Sequence, residues 1–340
     1  MSAHRHRYRR TLTGLLPALV LGALVPGRAA AAPAVVRLDG AAFGYAAQIE
    51  VRDLPAAEGE RAAQAAFAAL AAAEADLAPD GPLAALTARA GEAVELPPPL
   101  FGLLARTLDF CLWSDGRIGP LGGELYALWG LHAPARARPT AARLEAAAAS
   151  AACDRLQLDP AHGRATLSPG SRIESWGFAL GWAVDRAGAA LADAGVTNAR
   201  VALGGVLLGI GPGPDGRGWE VAGLRFPGQA EPLAPVYLRD RALALVTPED
   251  RQLQIAGDRY APYLDLQTGR PAGGAVAVLA ASPLGLDAQA LAVAMFIAGP
   301  RQGQFLLGSL RPPPAVLWLL GSGEGEPLLE SSRWSDLRAR

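Results

Sequence analysis

Two acidic residues toward the C-terminal end of the chain lie among side chains that could hold a metal ion. Asp265 is followed by Thr268 and Gly269 within Arg259–Pro271 (RYAPYLDLQTGRP), and Asp287 opens an Ala-rich stretch (DAQALA). Carboxylate and hydroxyl oxygens are the hard ligands that Mg²⁺ requires. Taken alone, the first pattern is an ordinary Asx-type turn and the second is a helix N-cap.

A glycine-rich segment upstream has the features of a nucleotide-phosphate site. It covers Glu174–Asp185 (ESWGFALGWAVD), where Gly177 and Gly181 would let a ligand approach the backbone. The following helix would present its N-terminus to negative charge. The alternative is a helix of small residues packed tightly on a sheet.

These segments, in this order, resemble the motifs of the ApbE-type FAD:protein FMN transferases. That family reads roughly R-Y-x-H-I-x-D-P-x-T-G-x-P and then D-A-x-x-T-A, after an earlier D-L-G-G-x-A-K-G-Y-A-V-D. Ser114–Gly130 and Val201–Val206 are similar to two further blocks, the second containing the family's paired glycines. The resemblance spans nearly the whole chain after residue 32, and on it the chain is identified as a member of this family.

The resemblance implies a reaction and a set of residue roles. In the family, FAD is bound with Mg²⁺, a Thr or Ser hydroxyl of a partner protein attacks the FMN phosphorus, and AMP leaves. The partner expected here is a redox protein of the bacterial envelope. The implied catalytic residues are Asp265 and Thr268, and the implied metal ligands are Asp287 and the carbonyl of Ala179. The implied cofactor-binding residues are Glu174, Gly177, Gly181, Gly204, Gly205, Thr247 and Gly269.

Among the departures from the family pattern, three remove side chains that could take part in the chemistry. Pro262 stands in place of the family histidine, Leu291 in place of a metal-binding threonine, and Leu180 in place of a lysine. Loss of a general base typically costs about 10²–10⁴-fold in rate. Two functions therefore stay open: a transferase with a substitute base such as Asp265 or Asp250, and a catalytically impaired relative that binds flavin or a partner protein. An unrelated structural envelope domain is a third.

The first 32 residues have the pattern of an export signal. Arginines at positions 5–10 precede a short apolar run, Leu12–Val25, and small residues follow at Ala29–Ala32. The run is shorter than the roughly 20 apolar residues that span a bilayer. We therefore expect a leader of Sec or twin-arginine type, a periplasmic or extracytoplasmic location and no stable membrane span.

Composition limits the remaining chemistry. The net charge is −1 and there is no Lys, so nothing favours nucleic acid as a partner. Beyond the leader only His132 and His162 remain, too few for a histidine-based metal site. Cys111 lies in an apolar, helix-like run, so we expect it and Cys153 to be free buried thiols, with a disulfide as the alternative.

Hydrophobic periodicity and the order of the predicted elements indicate an α+β fold with antiparallel sheets flanked by helices. The resemblance implies that residues 33–325 form a single ApbE-like domain, and we expect a loose tail over 326–340. Predicted helices cover 58–76, 100–114, 141–152, 176–194 and 287–298. Predicted strands cover 41–53, 155–158, 164–167, 199–208, 219–224, 236–238, 243–246, 275–281 and 315–320.

Overall fold

The computed structural model describes residues 33–133, 135, 137–226, 231–255, 257–321, 328–331 and 333–338. The predicted export leader lies outside these residues. Within them, no helix has the length and apolar character needed to cross a membrane.

Five helices in the described residues match the predicted helices in order, and two short ones, at 84–88 and 123–129, were not predicted. In chain order the helices are α1 (Ala56–Asp76), α2 (Ala84–Ala88), α3 (Pro98–Trp113), α4 (Gly123–Trp129), α5 (Ala141–Ser150), α6 (Ala179–Asp193) and α7 (Gly285–Leu307).

Strands are more numerous than predicted, because two predicted strands are each a pair of strands and several short strands were not predicted. In chain order the strands are β1 (Pro33–Ala42), β2 (Tyr45–Pro55), β3 (Ala93–Glu95), β4 (Leu156–Asp159), β5 (Arg164–Leu167), β6 (Ala199–Leu203), β7 (Val206–Ile210), β8 (Trp219–Val221), β9 (Val236–Leu238), β10 (Arg241–Val246), β11 (Leu253–Ile255), β12 (Asp258–Tyr260), β13 (Leu264–Asp265), β14 (Arg270–Pro271), β15 (Ala275–Ser282), β16 (Ala315–Leu320) and β17 (Leu328–Glu330).

An eight-stranded sheet forms the centre of the fold. Its order is β1-β2-β6-β7-β10-β15-β16-β17, and every neighbouring pair is antiparallel. Helices α1, α6 and α7 pack side by side on one face, with α6 in the middle. The predicted α+β class with antiparallel sheets is therefore confirmed.

The opposite face of the sheet carries a second apolar cluster. The β8–β9 hairpin covers it, and Trp219 and Leu238 pack there with inward residues of β10, β15 and β16. Alternation explains the two clusters, because neighbouring residues of a strand point to opposite faces of the sheet. Val278 and Ala280 of β15 thus join the helix-side core, whereas Ala277 and Leu279 join the other.

Two predicted strands are each a pair of strands joined by a tight turn. The predicted strand 41–53 is the end of the β1–β2 hairpin, and Phe43 in its turn has φ 55°. Within β2, Ile49 and Val51 lie two positions apart on the helix-side face, and both are buried. The predicted strand 199–208 is likewise β6 and β7, with Gly204 and Gly205 as the turn between them.

Helix α7 begins earlier and ends later than the prediction. Its first two backbone N–H groups, those of Gly285 and Leu286, donate to the carboxylate of Asp185 on α6 at 2.6 and 2.9 Å. The predicted end at residue 298 is a kink at Gly299, which has φ 67°, and a second helical segment continues to Leu307. The Asp185 cap fixes the start of α7 against α6.

The expectation of free thiols is wrong: Cys111 and Cys153 form a disulfide with Cα atoms 5.9 Å apart. It joins the end of α3 to the 3₁₀ turn after α5, a proximity that sequence spacing alone does not reveal.

The expectation of a loose C-terminal tail is also corrected where the structure describes that tail. Strand β17 pairs with β16, and the 3₁₀ turn Trp334–Leu337 buries Trp334 and Leu337 in the second apolar cluster. The Gly- and Glu-rich composition suggested looseness, but the apolar side chains that follow it find a sheet face to cover.

Candidate functional site

Turns at one end of the main sheet open onto a cavity of about 310 Å³. The β1–β2 turn contributes Phe43 and Tyr45, and the turn between β6 and β7 contributes Gly205. The corner before α6, the end of β10 and the first turns of α7 complete the walls. Further lining residues are Glu74, Leu77, Ala78, Pro79, His132, Ser175, Leu180, Val206, Leu245 and Val246.

The glycine-rich corner forms one wall of the cavity, as predicted for a ligand site. Gly177 lines it with φ 93°, a conformation that side chains other than glycine's rarely adopt. At Gly181 a Cβ would lie 2.2 Å from the carbonyl oxygen of Gly285, so glycine is what allows α6 and α7 to meet. The Gly181 N–H donates to Oε1 of Gln289 at 2.8 Å, and Gln289 also lines the cavity.

Aromatic rings supply the apolar part of the cavity. The indole of Trp176 stacks on Tyr263, with ring centroids 6.4 Å apart and planes inclined by 29°. The guanidinium of Arg251 also lies over the Trp176 ring, 5.6 Å from its centroid. The buried Trp176 Nε1–H has no hydrogen-bond partner among the described residues. A flat ring and a negative charge could therefore both be accommodated here.

Asp250 organises the rim next to this wall. Its Oδ1 accepts from Thr247 Oγ1 at 2.7 Å, and its Oδ2 accepts from the Tyr263 hydroxyl at 2.6 Å and the Thr247 N–H at 3.0 Å. Burial raises the pKa of Tyr263 well above its ordinary value, and the neighbouring Asp250 carboxylate raises it further. Burial likewise raises the pKa of Tyr45 across the cavity. Both phenols therefore stay protonated and can act as hydrogen-bond donors.

A histidine and a carboxylate meet at the cavity wall. His132 Nε2 lies 2.6 Å from Oε2 of Glu174, while Oε1 of Glu174 accepts a hydrogen bond from the backbone N–H of Trp176 at 2.9 Å. The Glu174 side chain is 10% exposed and that of His132 is 49% exposed. Glu174 is thus held at both oxygens, and the imidazole is anchored through one nitrogen only.

The predicted catalytic residues Asp265 and Thr268 lie outside this cavity. Asp265 pairs with Arg117 at 2.6 Å and accepts the Gln267 N–H at 3.0 Å, which is the ordinary Asx-type turn. Thr268 is exposed and reaches only the backbone of the same turn. The structure therefore does not bring these two residues to the glycine-rich corner.

The rest of this turn also has structural partners. The Gly269 carbonyl accepts from the indole N–H of Trp129 at 2.7 Å, and the Leu266 N–H donates to the Arg117 carbonyl at 3.0 Å. Pro262, in place of the family histidine, is buried and is not part of the cavity lining. The β13–β14 hairpin thus ties the segment around α4 to the body of the fold, and only Tyr263 beside it reaches the cavity.

The predicted metal ligand Asp287 faces a different cavity. Both its carboxylate oxygens accept from Arg106 of α3 at 2.8 Å, and it lines a space of about 440 Å³ together with Leu291 and the proline turn 312–314. Ala179 lines the first cavity instead. The residue of α7 that faces Ala179's cavity is Gln289, two positions beyond Asp287, because a helix rotates by about 100° per residue.

The residues at this cavity do not fit a magnesium ion. Among the described residues, no group of three or more His, Cys, Asp or Glu side chains converges as metal ligands would. The carboxylates of Glu174 and Asp250 are engaged by neighbouring donors, and Gln289 offers a neutral amide oxygen that already accepts the Gly181 N–H. Mg²⁺ prefers oxygen ligands that include one or two free carboxylates.

Of the predicted cofactor residues, Glu174, Gly177 and Gly205 line the cavity, whereas Gly181, Gly204 and Thr247 support it from immediately behind. Gly269 lies with the β13–β14 hairpin. Sequence reasoning missed His132, Arg251 and Gln289. A usable signal existed for the first, since His132 is one of two histidines beyond the leader and follows the Trp129-Gly130 end of a recognised block.

Sequence comparison relates the chain to flavin transferases. The sequence profile of the ApbE family matches residues 43–317. An FAD:protein FMN transferase of Rhodobacter capsulatus is 30% identical over 214 residues, covering 62% of this chain and 40% of that protein. One of Chlamydia trachomatis serovar D is 30% identical over 179 residues, covering 52% of this chain and 54% of that protein. The chain thus spans about half the length of these relatives.

Solved structures share the fold. The ApbE protein of Thermotoga maritima superposes with a TM-score of 0.80 at 23% identity, over 90% of this chain and 100% of that one. The apo form of the Pseudomonas stutzeri flavinyl transferase ApbE gives 0.78 at 23% identity, over 90% and 97%. With the profile covering most of its length and the fold matching end to end, this chain belongs to the ApbE family.

Proposed function

We propose that this chain binds FAD in the aromatic cavity and acts as an FAD:protein FMN transferase. The observation that carries the proposal is that Glu174, Gly177 and Gly205, expected from the motifs to bind the cofactor, line one cavity with an aromatic wall. The relatives named FAD:protein FMN transferase support the choice of ligand and reaction.

The residues of the cavity suit the parts of FAD. Trp176, Tyr45 and Phe43 line the cavity with aromatic surface suited to a flat isoalloxazine or adenine ring. Arg251, which lies over the Trp176 indole, can neutralise diphosphate oxygens, and the Tyr45 hydroxyl can donate to them. Because the residues of the cavity do not fit a magnesium ion, we assign the neutralisation of the diphosphate charge to Arg251 rather than to a metal.

The acceptor we propose is a Thr or Ser hydroxyl of a redox protein outside the cytoplasm, to which FMN becomes attached with release of AMP. The arginine-rich, apolar N-terminal pattern of residues 5–32 supports an exported location. The cavity is open at its rim, next to Thr247 and Asp250, so an extended segment of an acceptor could reach it.

A second candidate function is flavin binding without transfer. It is favoured by one observation: Asp287 is committed to Arg106, and Gln289 occupies the cavity-facing position of α7, so the magnesium-dependent form of the reaction has no ligands here. Such a protein would hold FAD intact.

Incubation of the purified protein with FAD and a threonine-containing peptide, in EDTA or with added Mg²⁺, separates these functions. Chromatography would follow AMP release, and fluorescence titration would follow FAD binding. AMP release that persists in EDTA supports the transferase. Tight binding of intact FAD without AMP release supports the second candidate, and no binding of FAD overturns both.

A further inference from the structure

The cavity contains one of the two histidines that the structure describes. His132 lines it, whereas His162 lies on the β4–β5 turn, where Nδ1 is 2.7 Å from the carboxylate of Asp159. Each histidine therefore has an acidic partner, but only His132 borders the space that we assign to FAD.

The partner of His132 determines which imidazole nitrogen carries the proton. One oxygen of Glu174 accepts the backbone N–H of Trp176, and its other oxygen contacts Nε2 of His132. A carboxylate only accepts hydrogen bonds, so Nε2 must be the protonated nitrogen and Nδ1 keeps a lone pair. An imidazole with a carboxylate behind one nitrogen and a free lone pair on the other is the arrangement of a general base.

The other acidic groups near the cavity are less suited to that role. Both oxygens of Asp250 are occupied by Thr247 and Tyr263, and Asp265 is paired with Arg117 away from the cavity. Glu74 borders the cavity from the end of α1, and Arg251 faces it from the loop after β10. Glu74 and Arg251, with Asp250 and Glu174, are the Asp, Glu and Arg side chains that line the cavity with His132, and Glu174 is the one in contact with it.

We propose that His132 is the general base of FMN transfer and that Glu174 positions it, in place of the histidine that Pro262 replaces. This inference rests on the proposed transferase function. Nδ1 of His132 takes the proton from the acceptor Thr or Ser hydroxyl as its oxygen forms a bond to the FMN phosphorus. The bond from that phosphorus to the bridging oxygen of AMP breaks, its electron pair stays on AMP, and the imidazolium passes its proton to solvent.

The test compares His132→Gln with His162→Gln in the full-length protein, using FAD and the same threonine peptide. We expect His132→Gln to lower the rate of AMP release by about 10²–10³-fold, with the Kd for FAD changed less than threefold. His162→Gln should match the wild type. His132→Gly should regain part of its rate when imidazole is added, which a purely structural histidine would not do.

Glu174→Gln tests the positioning role. A glutamine can turn its NH₂ group toward Nε2, which leaves the proton on Nδ1 and removes the lone pair from the reacting side. We expect at least a tenfold loss in AMP release and a shift of the acid limb of the pH–rate profile, an effect on titration that loss of packing alone does not produce.

The possible outcomes separate the two proposals. A wild-type protein that releases AMP while His132→Gln is equally fast overturns the role of His132 and leaves the transferase proposal standing. A wild-type protein that releases no AMP with the peptide overturns both. A parallel loss in His132→Gln and His162→Gln assigns the effect to folding and overturns the catalytic role.

Discussion

The glycine-rich corner 174–181 and the β13–β14 hairpin around 262–271 are both recognisable from family motifs, but they do different work in this molecule. The corner lines the cavity and carries Glu174, Gly177 and Ala179. The hairpin binds neighbouring protein: Asp265 pairs with Arg117 and the Gly269 carbonyl accepts from Trp129.

In the hairpin, the motif residues that are present maintain the backbone conformation of the turn. The hairpin needs an acidic residue to close its turn and a glycine at φ 67°, and both remain although the histidine is gone. The corner, in contrast, must let a ligand approach its backbone. Its function therefore depends on the residues that face it across the cavity. Five predictions test whether the hairpin is structural and the corner functional.

The largest effect is expected from the disulfide that lies beside the hairpin. Cys111 and Cys153 are separated by 42 positions in the sequence and, with Leu266 and Gln267, border one surface depression. Replacing both by Ala should lower the free energy of unfolding by about 4 kcal/mol, through the added entropy of the unfolded chain. Denaturant unfolding checks this, and reduction should bring the wild type down to the double variant. An equal loss of FAD affinity would contradict the separation of the two regions.

The next effect concerns the helix packing behind the corner. Burial raises the pKa of Asp185 to about 6, from an ordinary 3.8, although the N–H groups of Leu286 and Gly285 favour its charged form. The folded protein therefore holds this proton more tightly than the unfolded chain. The contribution of Asp185 to the free energy of unfolding is therefore largest below about pH 4. It falls by about 3 kcal/mol as the pH rises to about 6. Unfolding across this range checks it, and Asp185→Asn should flatten that slope.

A smaller loss is expected from Asp265→Asn in the hairpin. The substitution removes a partly buried ion pair with Arg117 but keeps an oxygen for the Gln267 N–H. The free energy of unfolding should fall by about 1–2 kcal/mol, while the Kd for FAD stays unchanged. Calorimetry and fluorescence titration measure the two quantities. A weakened Kd without a stability change would return Asp265 to the functional site.

Trp176→Leu should show the reverse behaviour at the corner. Leucine keeps apolar volume against Tyr263 but removes the ring face and the unpartnered Nε1–H. The Kd for FAD should rise about tenfold, which is about 1.4 kcal/mol, with the unfolding midpoint nearly unchanged. Arg239→Gln on the surface serves as a control. Unaltered FAD binding would place the ligand elsewhere.

The smallest effect is expected at the position that the motif marks as a metal ligand. Asp287→Asn should leave both FAD binding and AMP release unchanged, and should cost less than about 1 kcal/mol of stability for its half-exposed partner Arg106. Gln289→Ala, two residues further along α7, is the matched comparison and should weaken FAD binding. Abolished AMP release in Asp287→Asn would restore the metal assignment.

Local patterns in the sequence were sufficient for much of the fold. The Ala-rich run of α1 and the spacing of Ile49 and Val51 are patterns among neighbouring residues. The helix and the strand that such patterns predict are both present in the structure. The family follows from the order of the motifs, and the α+β class from the order of the predicted helices and strands; both orders are read along the chain. The corner around Gly177 and Gly181 was also predicted, because its glycines stand at the positions of the family motif.

Tertiary structure alone decided the contacts between distant segments. Nothing local distinguishes Asp287 from Gln289 as the cavity-facing residue, because the direction of each depends on how α7 is rotated against α3 and α6. The pairing of His132 with Glu174, 42 positions apart, and the Cys111–Cys153 bond have the same origin. A side chain's type is written in the sequence, but its partner is set by packing that brings remote parts of the chain together.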